Sequence, residues 1–330
     1  MSKKKQTTPL APASDVGITL IVGYPASGKS TLVKERFPGH AHVNRDAMGK
    51  SVKDLLPVVR QHLTAGKGVV TDNLFATRET RKDFVALAKE LGVPCRCVVL
   101  DTSIEDAQVN VVSRLIKHFG HLPSDAEIKA SRHPNVFPPA VLYKYRKEYE
   151  KPDPSEGFDA VEVVKFTRLP WAGKKRALVL DFDGTLRECP SGAKFPTNPK
   201  DIKIRSRVVE VLQKFHNADW LLLGASNQSG IAKGDLTEET CRACFAATNK
   251  LLGFDIEVLF CPHRVPPVSC YCRKPGVGLV MAHVTKHDLN PAACVFVGDM
   301  TTDKTCAGRV GMPYADADDF FYGDGYKKFL

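Results

Sequence analysis

The sequence predicts two consecutive α/β domains, each built around a parallel sheet wrapped by helices. Short apolar runs alternate with helical segments along the chain, which is the pattern of a parallel sheet with helical crossovers. The 330 residues exceed the length at which a single hydrophobic core is usual. Turn-rich segments at 151–157 and 170–173 separate two strand–helix series, and we place the domain boundary near residue 171.

The first series occupies residues 16–170, and residues 1–15 are expected to form a disordered tail. Ser51 can cap a helix that runs to about Ala65. A second helix is predicted at 77–91, where Gly92 stops it. Ser103 begins a further helix through a capping pattern. Strands are predicted at 17–23, 40–44, 68–72, 94–100 and 160–166.

The second series occupies residues 171–330 and repeats the same alternation. Neither series contains a repeat of 20–50 residues that would indicate a solenoid. Strands are predicted at 176–180, 220–225, 255–260 and 293–297.

Composition restricts the class of protein. Hydrophobic residues make up 43% and charged residues 25%, as in ordinary globular proteins. No run of about 18 apolar residues predicts a membrane span, and the basic N-terminus lacks the apolar stretch of a secretory signal. We therefore expect an intracellular, cytoplasmic protein, with a nuclear location left open. The ten cysteines are then expected to be buried residues or metal ligands. The net charge of +10 favours polyanionic partners.

The first strand is followed by GYPASGKS at 23–30, which fits the phosphate-binding P-loop pattern between a strand and a helix. Backbone N–H groups of such a loop point at phosphates, and the helix dipole adds to their field. Lys29 would contact the β- and γ-phosphates, and the Ser30 hydroxyl would hold Mg²⁺. The candidate ATP-binding residues are Gly23, Ser27, Gly28, Lys29, Ser30 and Thr31.

Two carboxylates follow the next two strands. Ligands bind at the carboxyl ends of strands in an open parallel sheet, so Asp46 and Asp72 are expected beside the phosphates. Asp46 could accept the proton of an attacking hydroxyl, or it could cap the following helix. Asp72 could orient the acceptor or a metal-bound water, or it could make a structural hydrogen bond.

A basic lid is expected over the phosphates, because equatorial phosphate charge needs stabilisation in the transition state. Arg114 is the candidate, since its helix runs toward the polar segment 118–138. A surface salt bridge is the alternative for Arg114. Arg132 is a weaker candidate for the same lid.

The stretch 17–166 resembles the kinase domain of the polynucleotide kinase–phosphatase family. The resemblance implies that Asp46 is the general base for a 5′-hydroxyl and that Arg114 is the lid arginine. Phage-type members carry an arginine three residues after that aspartate, where this chain has Gly49. The segments that carry the resemblance are GYPASGKST, HVNRDAMG, VVTDN, GVPCRCVV and VLYKYRKEYEKPDPSEGFDAV.

The second domain opens with DFDGT at 181–185, directly after an apolar strand. Two carboxylates with one residue between them can divide the work, one attacking phosphorus and the other transferring protons. The reaction needs Mg²⁺ to neutralise crowded oxygens. Three further groups follow in order, at Ser226-Asn227, Lys274 and the segment 298–303.

This ordered set resembles the haloacid dehalogenase phosphatase superfamily and implies a Rossmannoid phosphatase domain. The resemblance implies that Asp181 is the nucleophile and Asp183 the general acid and base. Ser226 and Lys274 would bind the phosphoryl group, with Asn227 beside them. The Mg²⁺ ligands would include Asp181, Asp183, Asp299 and Asp303, where Asp303 could instead position Lys274.

A third constellation precedes Lys274. Three thiols and one imidazole can form a closed tetrahedral Zn²⁺ site that would stiffen the loop carrying Lys274. Free thiols in a flexible loop are the alternative. The segment resembles the zinc loop of bacterial heptose-bisphosphate phosphatases. Its candidate ligands are Cys261, His263, Cys270 and Cys272.

Three functions fit these patterns. The first is a bifunctional end-healing enzyme that phosphorylates 5′-hydroxyl ends with ATP and removes 3′-phosphates, using Mg²⁺ and a structural Zn²⁺. Its partners would be DNA or RNA ends and, as a candidate, a ligase. The second is a small-molecule kinase fused to a sugar-phosphate phosphatase. The third is a binding protein with inactive sites, which the complete motif sets disfavour.

Overall fold

The computed structural model describes residues 16–49, 53–264 and 270–330. The predicted tail at 1–15 and the predicted helix start at Ser51 lie outside the described residues. By their internal contacts the residues form two units. The first contains the chain up to Ala107 together with Ala140–Arg168, and the second contains Gln108–Pro139 and Leu169–Leu330. The break after Arg168 lies close to the predicted boundary, whereas the grouping of Gln108–Pro139 with the second unit was not predicted.

The first unit is built on a five-stranded sheet in the order β2-β3-β1-β4-β5, with parallel pairing throughout. The central strand β1 pairs with β3 and β4, so the loop that follows it opens at the middle of the sheet edge. The strands are β1 Ile18–Val22, β2 Ala41–His42, β3 Val69–Thr71, β4 Cys95–Asp101 and β5 Ala160–Lys165.

Helices connect these strands. Thr77 accepts a hydrogen bond from the Thr80 N–H at the start of one of them, and Gly92 ends the same helix with φ 64°, as predicted. The helices are α1 Lys29–Arg36, α2 Arg45–Met48, α3 Leu56–Thr64, α4 Arg78–Leu91, α5 Ile104–Phe119, α6 Asp125–Ala130 and α7 Ala140–Glu148, with 3₁₀ turns at Lys53–Leu55 and Pro154–Glu156.

Both faces of the first sheet are buried. Leu20 packs in a cluster with Val59 of α3 and Phe84 of α4. Its neighbour Ile21 packs on the opposite face with Leu32 of α1. Because successive side chains of a strand point to opposite faces, a strand covered on both sides must be apolar at every position, as β1 nearly is.

The second unit holds another all-parallel five-stranded sheet, in the order β10-β9-β6-β11-β12. A two-stranded antiparallel ribbon, β7 with β8, follows the first strand of this unit. The strands are β6 Ala177–Leu180, β7 Arg187–Glu188, β8 Lys203–Ile204, β9 Leu221–Asn227, β10 Glu257–Cys261, β11 Val295–Gly298 and β12 Tyr314–Asp316.

The core of the second unit joins the sheet to helices and to the C-terminal segment. Leu178 and Leu180 of β6 belong to one cluster with Phe215 and Phe320, all fully buried. The predicted fold class, two parallel α/β domains in succession, is confirmed. The helices are α8 Val208–Asn217, α9 Ser229–Lys233, α10 Glu238–Leu252, α11 Gly278–His287, α12 Thr301–Val310 and α13 Ala317–Phe321, with 3₁₀ turns at Pro291–Ala293 and Gly325–Lys328.

Among the described residues, no helix combines the length and apolarity that crossing a membrane requires.

Candidate active sites

The P-loop connects β1 to α1 in the first unit. Gly28 has φ 101°, a left-handed conformation that a side chain would strain, and it lies just before the first residue of the helix. The buried Lys29 donates from Nζ to the carbonyls of Gly23 (3.0 Å) and Tyr24 (2.7 Å). These contacts hold the ammonium against the backbone of the loop. A phosphate oxygen, being charged, would be a stronger hydrogen-bond acceptor for Lys29 than these carbonyls.

The loop fits a phosphate ligand. The Ser27 Oγ atom is fully buried and has no hydrogen-bond partner among the described residues. The Thr31 N–H already donates to the Gly28 carbonyl (3.0 Å), while Ser30 is exposed at the helix start. An unpaired hydroxyl costs free energy unless a ligand pairs it, so Ser27 is suited to a phosphate oxygen.

Ser30, in the first turn of α1, lies beside Asp72, which directly follows β3. The Ser30 hydroxyl donates to Asp72 Oδ2 (2.7 Å), while His42 Nε2 lies 2.8 Å from Oδ1, which also accepts from Asn44. Burial alone would raise the pKa of Asp72, but the hydrogen bonds from His42, Ser30 and Asn44 hold that pKa below its usual value. Asp72 is therefore a fixed carboxylate beside the P-loop hydroxyl, which is the donor pair that holds Mg²⁺ in P-loop enzymes.

Asp46 lies in α2, directly after β2. The backbone N–H of Arg45 donates to Asn73 Oδ1 (2.8 Å), which fixes the start of α2 beside the end of β3. This contact places the backbone of Asp46 at the same sheet edge as Ser30 and Asp72. The Asp46 side chain lies outside the part of the chain that the structure describes, so its role as base stays a prediction.

Both candidate lid arginines belong to the second unit. Arg114 is exposed on α5, and Arg132 is exposed after α6. The lid role stays a prediction for both.

In the second unit one ammonium joins two carboxylates. Lys274 Nζ lies 2.7 Å from Oδ1 of both Asp181 and Asp303 and donates to the Ala225 carbonyl (2.7 Å). Burial alone would lower the pKa of Lys274, but the two carboxylates outweigh it and hold the pKa above its usual value. Burial raises the pKa of Asp181, and Lys274 opposes that rise. The site thus keeps a charged ammonium against the candidate nucleophile.

Three carboxylates converge at this edge of the sheet. Donor oxygens of Asp181, Asp299 and Asp303 lie within 4.8 Å of one another. A side chain at Gly184 (φ 80°) would come within 2.5 Å of Asp299 Oδ2. Only a glycine at this position leaves enough space for the Asp299 carboxylate. Clustered carboxylate oxygens are the ligands that Mg²⁺ prefers, and the cluster fits that ion.

Asp183 is held on both of its oxygens. Arg187 Nε donates to Oδ1 (2.8 Å), and Gln228 Nε2 donates to Oδ2 (2.7 Å). Arg187 is buried and donates from its Nη1 atom to Thr248 Oγ1 (2.7 Å) and the Cys244 carbonyl (3.0 Å). These hydrogen bonds therefore fix the orientation of the Asp183 carboxylate.

The predicted phosphate-binding pair lies beside these groups. The buried Ser226 hydroxyl accepts from Gln228 Nε2 (2.9 Å). Asn227 accepts from the Lys274 N–H (3.0 Å) and donates to the Lys274 carbonyl (3.1 Å). Asn227 thus uses both ends of its amide to hold the backbone of Lys274, a positioning role that the sequence did not indicate.

The predicted zinc ligands come together. Cys261 Sγ lies 3.7 Å from Cys270 Sγ and 3.4 Å from His263 Nδ1, which lies 3.2 Å from Cys272 Sγ. A tetrahedral ion with zinc–sulfur bonds of about 2.3 Å has ligand–ligand edges of about 3.8 Å, so these spacings suit Zn²⁺. The other imidazole nitrogen, His263 Nε2, lies 3.8 Å from Asp125 Oδ2, in the place where a carboxylate orients a ligating histidine.

Sequence reasoning missed the groups that hold these sites. His42, Arg187, Gln228 and Asp125 position Asp72, Asp183 or His263. Arg187 gave one signal, its position four residues after Asp183, and Gln228 directly follows the predicted phosphate-binding pair. Asp125 gave none, because it lies far from the cysteines in the chain.

Comparison with known proteins agrees with this architecture. Residues 18–121 match the AAA domain family, and residues 176–325 match the polynucleotide kinase 3 phosphatase family. The bifunctional polynucleotide phosphatase/kinase of Schizosaccharomyces pombe is 32% identical over 151 residues, which cover 45% of this chain and 33% of that protein. A probable D-glycero-D-manno-heptose-1,7-bisphosphate 7-phosphatase of Thermoplasma acidophilum is 30% identical over 42% of this chain and 88% of its own length. A chain of the Pnkp1/Rnl/Hen1 RNA repair complex aligns over 95% of this chain and 98% of its own, with 18% identity and a TM-score of 0.30.

Fold and sites define a P-loop kinase domain followed by a haloacid dehalogenase-type phosphatase domain. The Cys/His cluster is similar to that of the heptose-bisphosphate phosphatases. The chain joins a region that matches the AAA domain family to a region that matches the polynucleotide kinase 3 phosphatase family, and it is similar over part of its length to a bifunctional polynucleotide phosphatase/kinase. It spans about a third of the S. pombe relative.

Proposed function

We propose that this chain heals nucleic-acid ends by phosphorylating 5′-hydroxyls with ATP and removing 3′-phosphates. The observation that supports the proposal is the presence, in one chain, of two groups of contacting side chains suited to phosphoryl transfer. Ser30 and Asp72 form one beside the P-loop, and Lys274 with Asp181 and Asp303 forms the other. The net charge of +10 suits a polyanionic substrate.

In the kinase site the residues bind and orient. Lys29 and the loop N–H groups would hold the β- and γ-phosphates, with Ser27 supplying its unpaired hydroxyl. Ser30 and Asp72 would hold Mg²⁺, which would offset the negative charge of the phosphates. Asp46 would accept the proton of the attacking 5′-hydroxyl, and Arg114 would cover the transferred group. Catalysis here is positioning and charge stabilisation.

In the phosphatase site Asp181 would attack phosphorus through a carboxylate oxygen, and the bond from phosphorus to the 3′-oxygen would break. Asp183 would give its proton to that oxygen and then take one from the water that hydrolyses the aspartyl-phosphate. Mg²⁺ held by Asp181, Asp299, Asp303 and the Asp183 carbonyl would offset the negative charge of the phosphate. Lys274 and Ser226 would hold the phosphate oxygens.

The Cys/His cluster would hold a structural Zn²⁺. Its four donors are Cys261, His263, Cys270 and Cys272, and Cys272 lies two residues before Lys274. All four positions are protein ligands, so this ion would stabilise the loop and take no part in the reaction.

The test uses an oligonucleotide with a 5′-hydroxyl and a 3′-phosphate, incubated with ATP and Mg²⁺ while both ends are followed. Conversion of both ends is expected, with rates that fall steeply as salt increases. The products, a 5′-phosphate and a 3′-hydroxyl, suit a ligase, which is a candidate partner. Conversion of neither end by a protein that turns over a small phosphorylated sugar would overturn the proposal.

A second function is favoured by one observation. The phosphatase unit aligns over 88% of a probable heptose-bisphosphate phosphatase and has a Cys/His cluster of the kind found in such enzymes. A small-molecule kinase fused to a sugar-phosphate phosphatase would act on free sugars or nucleosides, and its turnover would be insensitive to salt.

A further inference from the structure

A further group of candidate metal-binding side chains lies away from the sites described above, where β10 and α11 pack together. Glu257 is the first residue of β10, and His283 and His287 lie one turn apart on α11. One donor atom from each of the three lies within 4.8 Å of the other two. Residues four apart share a helix face, so both imidazoles lie on the side of α11 that meets the strand.

His283 has a ring nitrogen, Nδ1, that is suited to binding a metal ion. It is fully buried, and its Nε2 lies 2.9 Å from the Gly224 carbonyl. A carbonyl only accepts, so Nε2 carries the proton and Nδ1 keeps its lone pair. That Nδ1 atom is buried and has no hydrogen-bond partner among the described residues. Burial lowers the pKa of His283 to about 4, so the imidazole is neutral at neutral pH.

Glu257 and His287 complete the group. His287 Nε2 lies 3.0 Å from Glu257 Oε2, and Lys286 Nζ lies 2.8 Å from Oε1. Burial alone would raise the pKa of Glu257, but hydrogen bonds from Lys286 and His287 hold it below its usual value, so the carboxylate is charged. The Lys286 side chain is 61% exposed and can swing into solvent when a cation arrives.

We propose that Glu257, His283 and His287 bind a divalent cation of the Zn²⁺, Ni²⁺ or Co²⁺ class. Two imidazoles and one carboxylate are the donors these ions prefer, whereas Mg²⁺ and Ca²⁺ favour sites built from oxygen alone. Three protein ligands leave the remaining position to water, which the partly exposed His287 and Glu257 admit.

The site is separate from the Cys/His cluster although both use β10. Glu257 begins the strand and Cys261 ends it, a distance of about 13 Å at the usual rise of a strand. A cation here would tie α11 to β10 directly and to β9 through the bond from His283 to Gly224. Since α11 begins at Gly278, just after the segment that carries Lys274, the ion would also help to hold that segment in place.

The test measures Zn²⁺ bound by the full chain in equilibrium dialysis, with excess Mg²⁺ to occupy the aspartate cluster. Wild-type protein is expected to bind about two equivalents, and His287→Ala about one. Lys286→Ala, the matched control on the adjacent residue, is expected to keep both, because it removes only a competing cation. Cys272→Ser should weaken the other equivalent and leave this one.

Two further readouts make the test decisive. Co²⁺ at the cysteines gives intense thiolate charge-transfer bands, whereas Co²⁺ at this site adds only weak visible bands that His287→Ala should remove. Glu257→Gln preserves the shape of the side chain and should weaken the second equivalent at least about tenfold. Equal stoichiometry and equal Co²⁺ spectra in wild type and His287→Ala, or unchanged affinity in Glu257→Gln, would overturn the proposal.

Discussion

Lys274 Nζ lies 2.7 Å from Asp181 Oδ1, although 93 residues separate the two in the chain. The pair is almost fully buried, and the same ammonium reaches Asp303. Buried charges are stable only when they are paired, so the three side chains act as one unit. The nucleophile of the proposed phosphatase is therefore defined by contacts that form only in the folded domain.

Removing the shared ammonium should abolish the phosphatase. We expect Lys274→Met to lower the rate of 3′-phosphate release by at least about 100-fold, because it removes a phosphate ligand and leaves Asp181 and Asp303 facing each other. Kinase activity of the same protein is the internal control for folding of the first unit. The exposed Lys286→Met should retain phosphatase activity. Full phosphatase activity in Lys274→Met would contradict the assignment.

Arg187 should act through the proton-transfer step. Arg187→Met frees one oxygen of Asp183, and we expect kcat on a 3′-phosphate oligonucleotide to fall about 10- to 100-fold with little change in KM. Para-nitrophenyl phosphate has a leaving group that needs no proton, so its hydrolysis should fall much less. Gln228→Ala, which frees the other oxygen, should show the same split. An equal loss on both substrates would indicate a structural role alone.

The Ser30–Asp72 pair should set the magnesium requirement of the kinase. We expect Asp72→Asn to lower kinase turnover about 100-fold and to raise the Mg²⁺ concentration needed for half-maximal rate. Ser30→Ala should do likewise, and the double variant should lose less than the product of the two effects, because the side chains contact each other. Strictly multiplicative losses with an unchanged Mg²⁺ requirement would argue against a shared metal.

Asp125 should increase the affinity of the Cys/His cluster for Zn²⁺. Its carboxylate faces His263 Nε2, so Asp125→Asn is expected to weaken Zn²⁺ binding by about 10- to 100-fold, measured by competition with a chelating dye. Asp288→Asn, a substitution elsewhere in the same unit, is the control and should leave affinity unchanged. Equal affinity in wild type and Asp125→Asn would show that the 3.8 Å approach is incidental.

The two activities should be separable. Lys29→Ala is expected to remove kinase activity and leave the phosphatase, and Asp181→Asn is expected to do the reverse, since Lys29 belongs to the first unit and Asp181 to the second. The measurement is the two-ended oligonucleotide assay on each variant. Loss of both activities in either variant would refute this independence, and an active Asp181→Asn phosphatase would exclude the aspartyl-phosphate mechanism.

Local patterns predicted the strands that bear the sites. β1, β3, β4 and β6 are apolar runs ended by glycine or aspartate, and periodicity with turn signals suffices to find them. β12, Tyr314–Asp316, was missed because its three residues have little apolar character and it is defined mainly by pairing with β11. The ribbon of β7 and β8 has two residues a strand and gives no periodic signal.

Motifs predicted the reacting groups but not their supports. Asp181, Lys274 and Asp303 were found because their spacing follows a family pattern. Arg187 was missed because a charged residue in a sequence is usually at the surface, and only packing against Phe182 and Phe245 shows that it is buried. The grouping of Gln108–Pro139 with the second unit was missed for a different reason, since chain order alone does not predict contacts between distant segments.

The distance along the chain between Asp181, Lys274 and Asp303 also matters during synthesis. A ribosome releases the nucleophile first, its ammonium later and the second carboxylate last. At common elongation rates the interval from Asp181 to Asp303 is on the order of ten seconds. Until Lys274 has been added, the growing polypeptide carries Asp181 at a strand end without its counter-charge. The nascent second domain therefore has no phosphatase centre until translation has passed Asp303, so the activity reports on a completed fold.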